Sequence, residues 1–435
     1  MQIGMHELLC KAQEMIARKY PTILTDKSKR GEIKNYIAQF LYDTGYTVEG
    51  YSMKQVTDRL FSEMAEYSFL TAYLNDPNIE EININGWDDV ALTYLDGHIE
   101  KSDEQFFSPG HAVDIIKRLL LHSGMTIDNA VPKAEGHLPN NTRITVIKTP
   151  IVDEDRGIAA SIRMLHPQRV DRENLIRTES ITDEMLSFLE MCVCYGVSYV
   201  VAGRTSSGKT TLLNSLLSSV PDFKRIYTIE NGARELSLIK RDVSGRIKNN
   251  VVHTLSRPSD KKESNITQED LVVTSLRFDP DIICIGEMRD SEASSAIEAS
   301  STDHTVVTTV HGGGGRYAHR RIAFLSQRRF PIDMKISMQQ AALAFPVVVF
   351  AHKLEDNTRK VMDISECIVH DDGELEYRTL YRYKIHSNEY VDGQFHIVGE
   401  FIQENSPSEY LRSKLLRGGI PHELLKRFER EEGSV

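Results

Sequence analysis

The octet Gly203-Arg204-Thr205-Ser206-Ser207-Gly208-Lys209-Thr210 fits G-x-x-x-x-G-K-[ST] at every fixed position, the pattern of a loop that cradles phosphate. Gly203 and Gly208 let the backbone wrap closely, so that amide N–H groups and the positive end of the next helix face an anion. Lys209 is placed to reach the β- and γ-phosphates as a point charge, and the Thr210 hydroxyl to ligate magnesium. With Thr211, the run 203–211 is the expected ATP–Mg2+ contact. A glycine-rich turn with an incidental lysine is the alternative, and the flanks argue against it. Val197 to Ala202 is an apolar strand leading in, and Leu212, Leu213, Leu216, Leu217 and Val220 share one face of a helix leading out, stopped by Pro221.

Two further strands release carboxylates at their C-terminal ends, the edge at which open α/β sheets bind ligands. Asp281 to Gly286 ends in Glu287, and Arg225 to Ile229 ends in Glu230, with Glu235 five residues on. Either carboxylate can orient an attacking water or hold a magnesium-bound water, and either alone is equally a solvated strand end. His304 and His311 bracket the strand Val306 to Val310, which carries Thr309 and is followed by Gly312 to Gly315. A histidine at that edge can donate to a γ-phosphate or to a carboxylate. Two structural histidines anchoring a loop are the alternative.

The elements that must position these groups alternate strand and helix beyond residue 180, the pattern of a largely parallel sheet covered by helices on both faces. Before them, residues 1–68 show helical periodicity, with Ile33, Tyr36, Ile37, Phe40 and Leu41 on one stripe and Val56, Leu60, Phe61 and Met64 on another. Residues 69–170 read as a small α/β domain: strands from Ile79, a turn at Asp96-Gly97, a helix at about 111–122, and strands Arg143 to Lys148 and Ile158 to Met164. The polar run 171–180 reads as a linker, 181–405 as the phosphate-binding domain, with short strands at 360–402, and 406–435 as a helical tail. No repeat or low-complexity block is visible.

Composition narrows the function classes. With 435 residues, 40% hydrophobic and 26% charged, the chain can bury two or three cores. Its longest apolar runs fall well short of a bilayer span, and the start shows no secretory signal, so a cytoplasmic location with at most peripheral membrane contact is expected. The five cysteines at 10, 192, 194, 284 and 367 form no Cys-x-x-Cys pair and read as reduced packing residues. A net charge of −11 argues against a broad basic nucleic-acid surface. The one dense basic cluster, Arg316, His319, Arg320, Arg321, Arg328 and Arg329, reads as a solvated or subunit-facing helix before a nucleic-acid site.

The order of motifs resembles the type II/IV secretion ATPases, in particular the CpaF/TadA-like branch, over about residues 70–370. Asp76 to Gly86 is similar to the family's "DPdIteImvNG" opening, Leu138 to Arg143 to "LPDGsR", and Ser161 to Arg163 to "tiRk". Ile229 to Asn231 with Glu235-Leu236 resembles its aspartate box, Leu276 to Asp281 its "LRmrPD", Gly286 to Arg289 its atypical Walker B "GEvR", and His304 to His311 its "GHxxxxTxH" histidine box. The departures are Asp303 for a glycine, Gly312 to Gly315 for an "ANSP"-like segment, and His137 for an arginine. The tetra-cysteine zinc element of the type II branch is absent.

The resemblance implies a RecA-like P-loop ATPase domain preceded by a small α/β domain and a helical extension. It implies a hexameric cytoplasmic motor that hydrolyses ATP for a secretion or pilus-assembly machine and acts on an inner-membrane platform protein. Catalytic roles then fall to Glu287, Glu230 and His311, with Arg143 and Arg163 of the small domain closing on the phosphates. A nucleic-acid translocase of related fold and a nucleotide-dependent scaffold are the competing functions. The transported substrate, the membrane partner and the task of residues 1–68 are not written in the sequence.

Overall fold

A computed structural model describes residues 1–19, 30–95, 97–121, 123–138, 142–164, 171–232, 234–257 and 262–429. The chain divides into two compact units, Met1–His166 and Pro167–Val435. The first begins with helices α1 (Met5–Lys19), α2 (Arg30–Thr44) and α3 (Met53–Ala65). The predicted stripes meet in one apolar cluster, with Leu8, Ile16, Ile33, Ile37, Leu41, Val56 and Leu60 buried. Ser52 and Gln55 form a capping box that starts α3. After α4 (Leu70–Leu74) come β1 (Ile79–Gly86), β2 (Asp89–Tyr94), β3 (Ile99–Lys101), α5 (Pro109–Leu121), β4 (Lys133–His137), β5 (Arg143–Lys148) and β6 (Ile158–Arg163).

These strands form an antiparallel sheet in the order β3-β2-β1-β6-β5-β4. Strict alternation would put Ile79 on the face opposite Ile82 and Ile84. A register shift between Ile79 and Glu81 brings all three into the core instead. The helical extension and the α/β domain, read as separate domains, share one compact unit although each keeps its own apolar cluster. Across their seam the fully buried Glu63 meets Arg59 and His111, and Arg118 donates to the carbonyls of Glu63 and Glu66. Asp96 and residues 139–141, on which the predicted turn and part of the "LPDGsR" likeness fall, lie outside the described residues.

The second unit starts where a linker was expected. Residues Arg172–Arg177 form α6, capped by the Asp171 side chain, and Leu175 is buried in this unit's main core. A polar composition concealed a short helix with one anchoring leucine. Then follow α7 (Asp183–Cys194), β7 (Tyr199–Gly203), α8 (Lys209–Ser218), β8 (Arg225–Glu230), β9 (Asn250–Leu255), α9 (Gln268–Ser275), β10 (Ile282–Met288), α10 (Glu292–Ser301), β11 (Thr305–His311), α11 (Arg316–Ser326), α12 (Met334–Ala344), β12 (Val347–Lys353), β13 (Arg359–Val369), β14 (Leu375–Val391), β15 (Gln394–Gln403), α13 (Glu409–Arg417) and α14 (His422–Lys426).

Nine strands run β15-β14-β13-β12-β7-β11-β10-β8-β9, parallel from β12 to β9 and antiparallel from β12 to β15. The parallel core, with the loop-bearing β7 between β12 and β11, is a RecA-like P-loop sheet. Apolar clusters cover both faces, as burial of β7, β10 and β11 on two sides requires. The predicted helical tail is part of this body: Leu411, Leu415, Ile420 and Leu425 are in its core, and Phe428 packs edge-on against Phe188. The strands at 360–402 are long, not short, and form a hairpin ribbon. Cys192, Cys284 and Cys367 are buried as packing residues, whereas Cys10 is exposed.

Candidate nucleotide site

Strand β7 delivers its chain to the ligand edge at Gly203, whose register neighbours are His311 on β11 and Ala351 on β12. The loop turns through Ser206, at a left-handed φ of 62°, and Gly208, at 86°, before α8 begins at Lys209. A Cβ on Gly203 would lie 2.3 Å from the Ala351 carbonyl oxygen and 2.5 Å from Ser207 Oγ, so glycine is demanded by crowding. Lys209 Nζ donates to the Arg204 carbonyl at 2.8 Å, and Ser207 Oγ donates to the same oxygen at 2.8 Å. A tight backbone cradle, a lysine curled over it and the N-terminus of a ten-residue helix fit a polyphosphate. Thr210 and Thr211, in the first turn of α8, are the residues there that can reach a phosphate-bound cation.

Glu287 is aimed by a β-bulge. Ile285 pairs with Thr308 and Met288 with Val310, so Gly286 and Glu287 together oppose Thr309, whose hydroxyl donates to the Gly286 carbonyl at 2.8 Å. A Cβ on Gly286 would stand 3.2 Å from Glu230 Cγ, so the glycine of this motif makes room for the neighbouring carboxylate. Glu287 Oε2 accepts from Arg289 at 2.6 Å, and His311 Nε2 lies 3.0 Å from Oε1, out of line for a hydrogen bond. Burial pushes the Glu287 carboxyl upward, but the Arg289 hydrogen bond and the charges of Arg289, His311 and Lys209 outweigh it and hold the group below its ordinary value. Burial, reinforced by Lys209, Arg289 and Arg321 against the opposing pull of Glu287, lowers the His311 imidazole below its ordinary value. An ionised carboxylate beside a neutral imidazole, within the field of the loop lysine, can polarise a water and report a change in phosphate charge.

Glu230 behaves differently. It is buried, its Oε1 accepts the backbone N–H groups of Glu235 at 2.7 Å and Leu236 at 2.9 Å, and its Oε2 has no hydrogen-bond partner among the described residues. Desolvation pushes its carboxyl up to about 7, against the lowering effect of those two amides. From an unfolded value near 4.5 to the folded value near 7, the native state holds the extra proton, so stability falls as pH rises through this window, by about 3 kcal/mol in all. Glu230→Gln is therefore expected to be more stable than the unsubstituted chain at pH 8, with the gap closing toward pH 5. Urea unfolding at the two pH values checks this, and a pH-independent difference would mean that Glu230 is charged and solvated.

The remaining predicted residues separate into groups. Arg143 and Arg163 are register partners in β5 and β6, in one row with His137 and Glu81, and Arg163 Nη2 is 3.4 Å from Glu80 Oε1. His304 is at the opposite end of β11 from His311 and bonds Thr302, so the phosphate edge receives only one of the two histidines. The basic cluster is divided: His319 is fully buried between Tyr377 and the Phe345 carbonyl, Arg328 and Arg329 pair with Asp290 and Glu269, and Arg316 and Arg320 are exposed on α11. Three groups near the site were given no role there from the sequence. Arg289, quoted only as the end of the "GEvR" likeness, follows directly on β10. Arg321, whose Cβ lies 3.8 Å from the place a Cβ on Gly312 would take, comes from α11, and Arg359, which donates to the Ser206 carbonyl, comes from β13.

A type IV secretion system protein of Bordetella pertussis, PtlH, is 29% identical over 184 residues, 41% of this chain and 52% of PtlH. An uncharacterized protein of Methanocaldococcus jannaschii is 28% identical over 252 residues, 57% of this chain and 43% of its own length. The first three curated relatives are matched over 43%, 32% and 52% of their length, so the chain spans about half of each or less. Among solved structures, the DotB ATPase of Legionella pneumophila aligns at TM-score 0.46 and 20% identity over 82% of this chain and 85% of that one. The VirB11 ATPase of Brucella suis aligns at 0.36 and 23% over 68% and 94%. Residues 65–367 match the type II/IV secretion system protein family, and since that is well over half of the sequence, the chain belongs to this family.

Proposed function

We propose that the chain binds ATP at residues 203–211 and hydrolyses it as one subunit of a hexameric ring, on the CpaF/TadA-like branch of its family. The observation that carries this reading is the convergence of Gly203, Lys209, Glu287 and His311 at the ends of three adjacent parallel strands. Glu287 orients and deprotonates the attacking water, and His311 senses the γ-phosphate beside it. Thr210, and Glu287 or Glu230 through water, would hold magnesium, which would supply neutralisation of phosphate charge. Arg143 and Arg163 are assigned to gripping phosphate on the family resemblance, a task suited to paired guanidinium groups. The motor works at the cytoplasmic face of the inner membrane on a platform protein of a secretion or pilus machine. Among the described residues no helix is long and apolar enough to cross a membrane.

The test combines phosphate release with light scattering, using Mg-ATP for turnover and a non-hydrolysable analogue for mass. Steady turnover, a mass of six subunits and no stimulation by single- or double-stranded DNA are expected. A strict monomer with nucleotide present would remove the ring. ATP binding with zero turnover would select the scaffold function, and DNA stimulation the translocase.

A further inference from the structure

The phosphate-binding loop is gripped from a side that its own motif does not include. Strand β12 crowds Gly203 with the carbonyl of Ala351, and β13, next in the sheet, opens at Arg359. Arg359 Nε donates to the carbonyl oxygen of Ser206 at 3.0 Å across 153 residues of sequence. Its Cδ would be 3.5 Å from a Cβ built on Gly208, so its stem lies along the loop where α8 begins. Ser206 is the one non-glycine residue of the octet with a left-handed φ, a conformation that costs an L-residue roughly 1 kcal/mol or more unless its surroundings hold it.

We propose that Arg359 is a positioning residue of the phosphate-binding loop, fixing the Ser206 peptide so that its carbonyl is turned toward the β12–β13 side and the amides from Gly208 onward, beyond the Ser207 N–H that donates to Arg204, remain available to phosphate. The proposal rests on the nucleotide reading above and extends it to a residue of the antiparallel extension. The physical reason is the polarity of the peptide group. A loop that binds an anion through N–H groups must face its carbonyls elsewhere, because a carbonyl oxygen turned toward phosphate would repel it. The Ser206 carbonyl has a charged donor to hold it outward. Guanidinium suits this place, since it stays charged and its planar geometry orients the donor. The first strand of the extension thereby sets the shape of the loop.

The experiment compares Arg359→Ala, Arg359→Met and Arg359→Lys in the full chain, measuring Kd for fluorescent ATP, KM and kcat for ATP, and the thermal midpoint. Loss of a charged hydrogen bond that shapes the site predicts about a tenfold rise in Kd and KM for the Ala and Met variants, with kcat within about twofold. Met keeps the stem without the donor, so it should behave as Ala if the donor matters. Lys can donate one hydrogen bond to the same carbonyl and should recover a large part of the affinity. Unchanged Kd and KM in all three variants, with the unsubstituted chain binding ATP normally, would overturn the role of Arg359 alone. Equal losses of affinity and thermal stability that Lys does not rescue would also overturn it, by reducing the residue to a packing element. Failure of the unsubstituted chain to bind ATP would overturn both this inference and the nucleotide reading.

Discussion

Glu287→Gln is expected to bind ATP about as tightly as the unsubstituted chain and to hydrolyse it roughly 10²–10³-fold more slowly, the loss that follows removal of a positioned general base. Lys209→Ala should show the opposite pattern, with affinity falling by roughly 10²-fold because a charge partner of the phosphates is lost. The geometry separates the two effects. Glu287 is held from outside the loop by Arg289 at 2.6 Å, and an amide oxygen can accept that same hydrogen bond, so glutamine should preserve the fold of the bulge. What glutamine cannot supply is the ionised carboxylate that Arg289, His311 and Lys209 keep below its ordinary pKa. Lys209, by contrast, spans the loop to the Arg204 carbonyl, within reach of any anion the cradle holds. Fluorescent-ATP titration and single-turnover phosphate release resolve both parameters. Near-normal hydrolysis in Glu287→Gln would transfer the water-activating role, and Glu230 would be the next residue to test. Its Oε1 is already engaged by the Glu235 and Leu236 amides, which leaves only Oε2 to take a proton from water.

What was legible in the sequence was local. The octet, the strand before it and the helix after it are contiguous, so type and spacing sufficed to find them, and the strand-end positions of Glu287, Glu230 and His311 followed from apolar runs of the right length. The strand order could not be read the same way. Glu287 and His311 meet because β10 and β11 are neighbours and because a bulge inserts one residue opposite Thr309, and neither a register shift nor a side-chain angle leaves a mark in composition. By spacing alone His304 and His311 were equivalent, because a strand's two ends are equally close in sequence to its middle, and it was the family resemblance that singled out His311. Only direction tells them apart, and in a parallel sheet one end alone faces the ligand. The short helix inside the expected linker 171–180 went unseen for a related reason. One buried leucine anchors a helix that is otherwise polar, and a six-residue stretch is too short for periodicity to appear. Arg359 illustrates the limit: no local pattern signals that a residue opening a late antiparallel strand will donate to the phosphate loop, since that contact depends on β12 and β13 stacking beside β7.

The glycines of the octet give the second large expected effect, because the structure assigns them different physical reasons. Gly203 has ordinary backbone angles but no space, whereas Gly208 has space and a left-handed φ of 86°. In Gly203→Ala the new methyl would meet Ser207 Oγ, which can rotate away, and the Ala351 carbonyl at 2.3 Å, which cannot, since β12 is locked to β7 in parallel register from Tyr199 to Gly203. Relief needs about 1 Å of movement in a strand buried on both faces, at a cost of about 1–3 kcal/mol. The same movement displaces residues 204–207, so ATP affinity should fall along with stability. In Gly208→Ala the methyl would find Arg359 Cδ at an ordinary 3.5 Å, and the penalty reduces to the left-handed backbone, roughly 1–2 kcal/mol. Gly203→Ala should therefore be the more damaging of the two in both urea unfolding and ATP binding, although glycine's usual justification, a positive φ, applies only to Gly208. A Gly203→Ala variant with unaltered stability and affinity would show that β12 does not crowd the loop, and the idea that the antiparallel extension shapes the phosphate site would lose its structural basis.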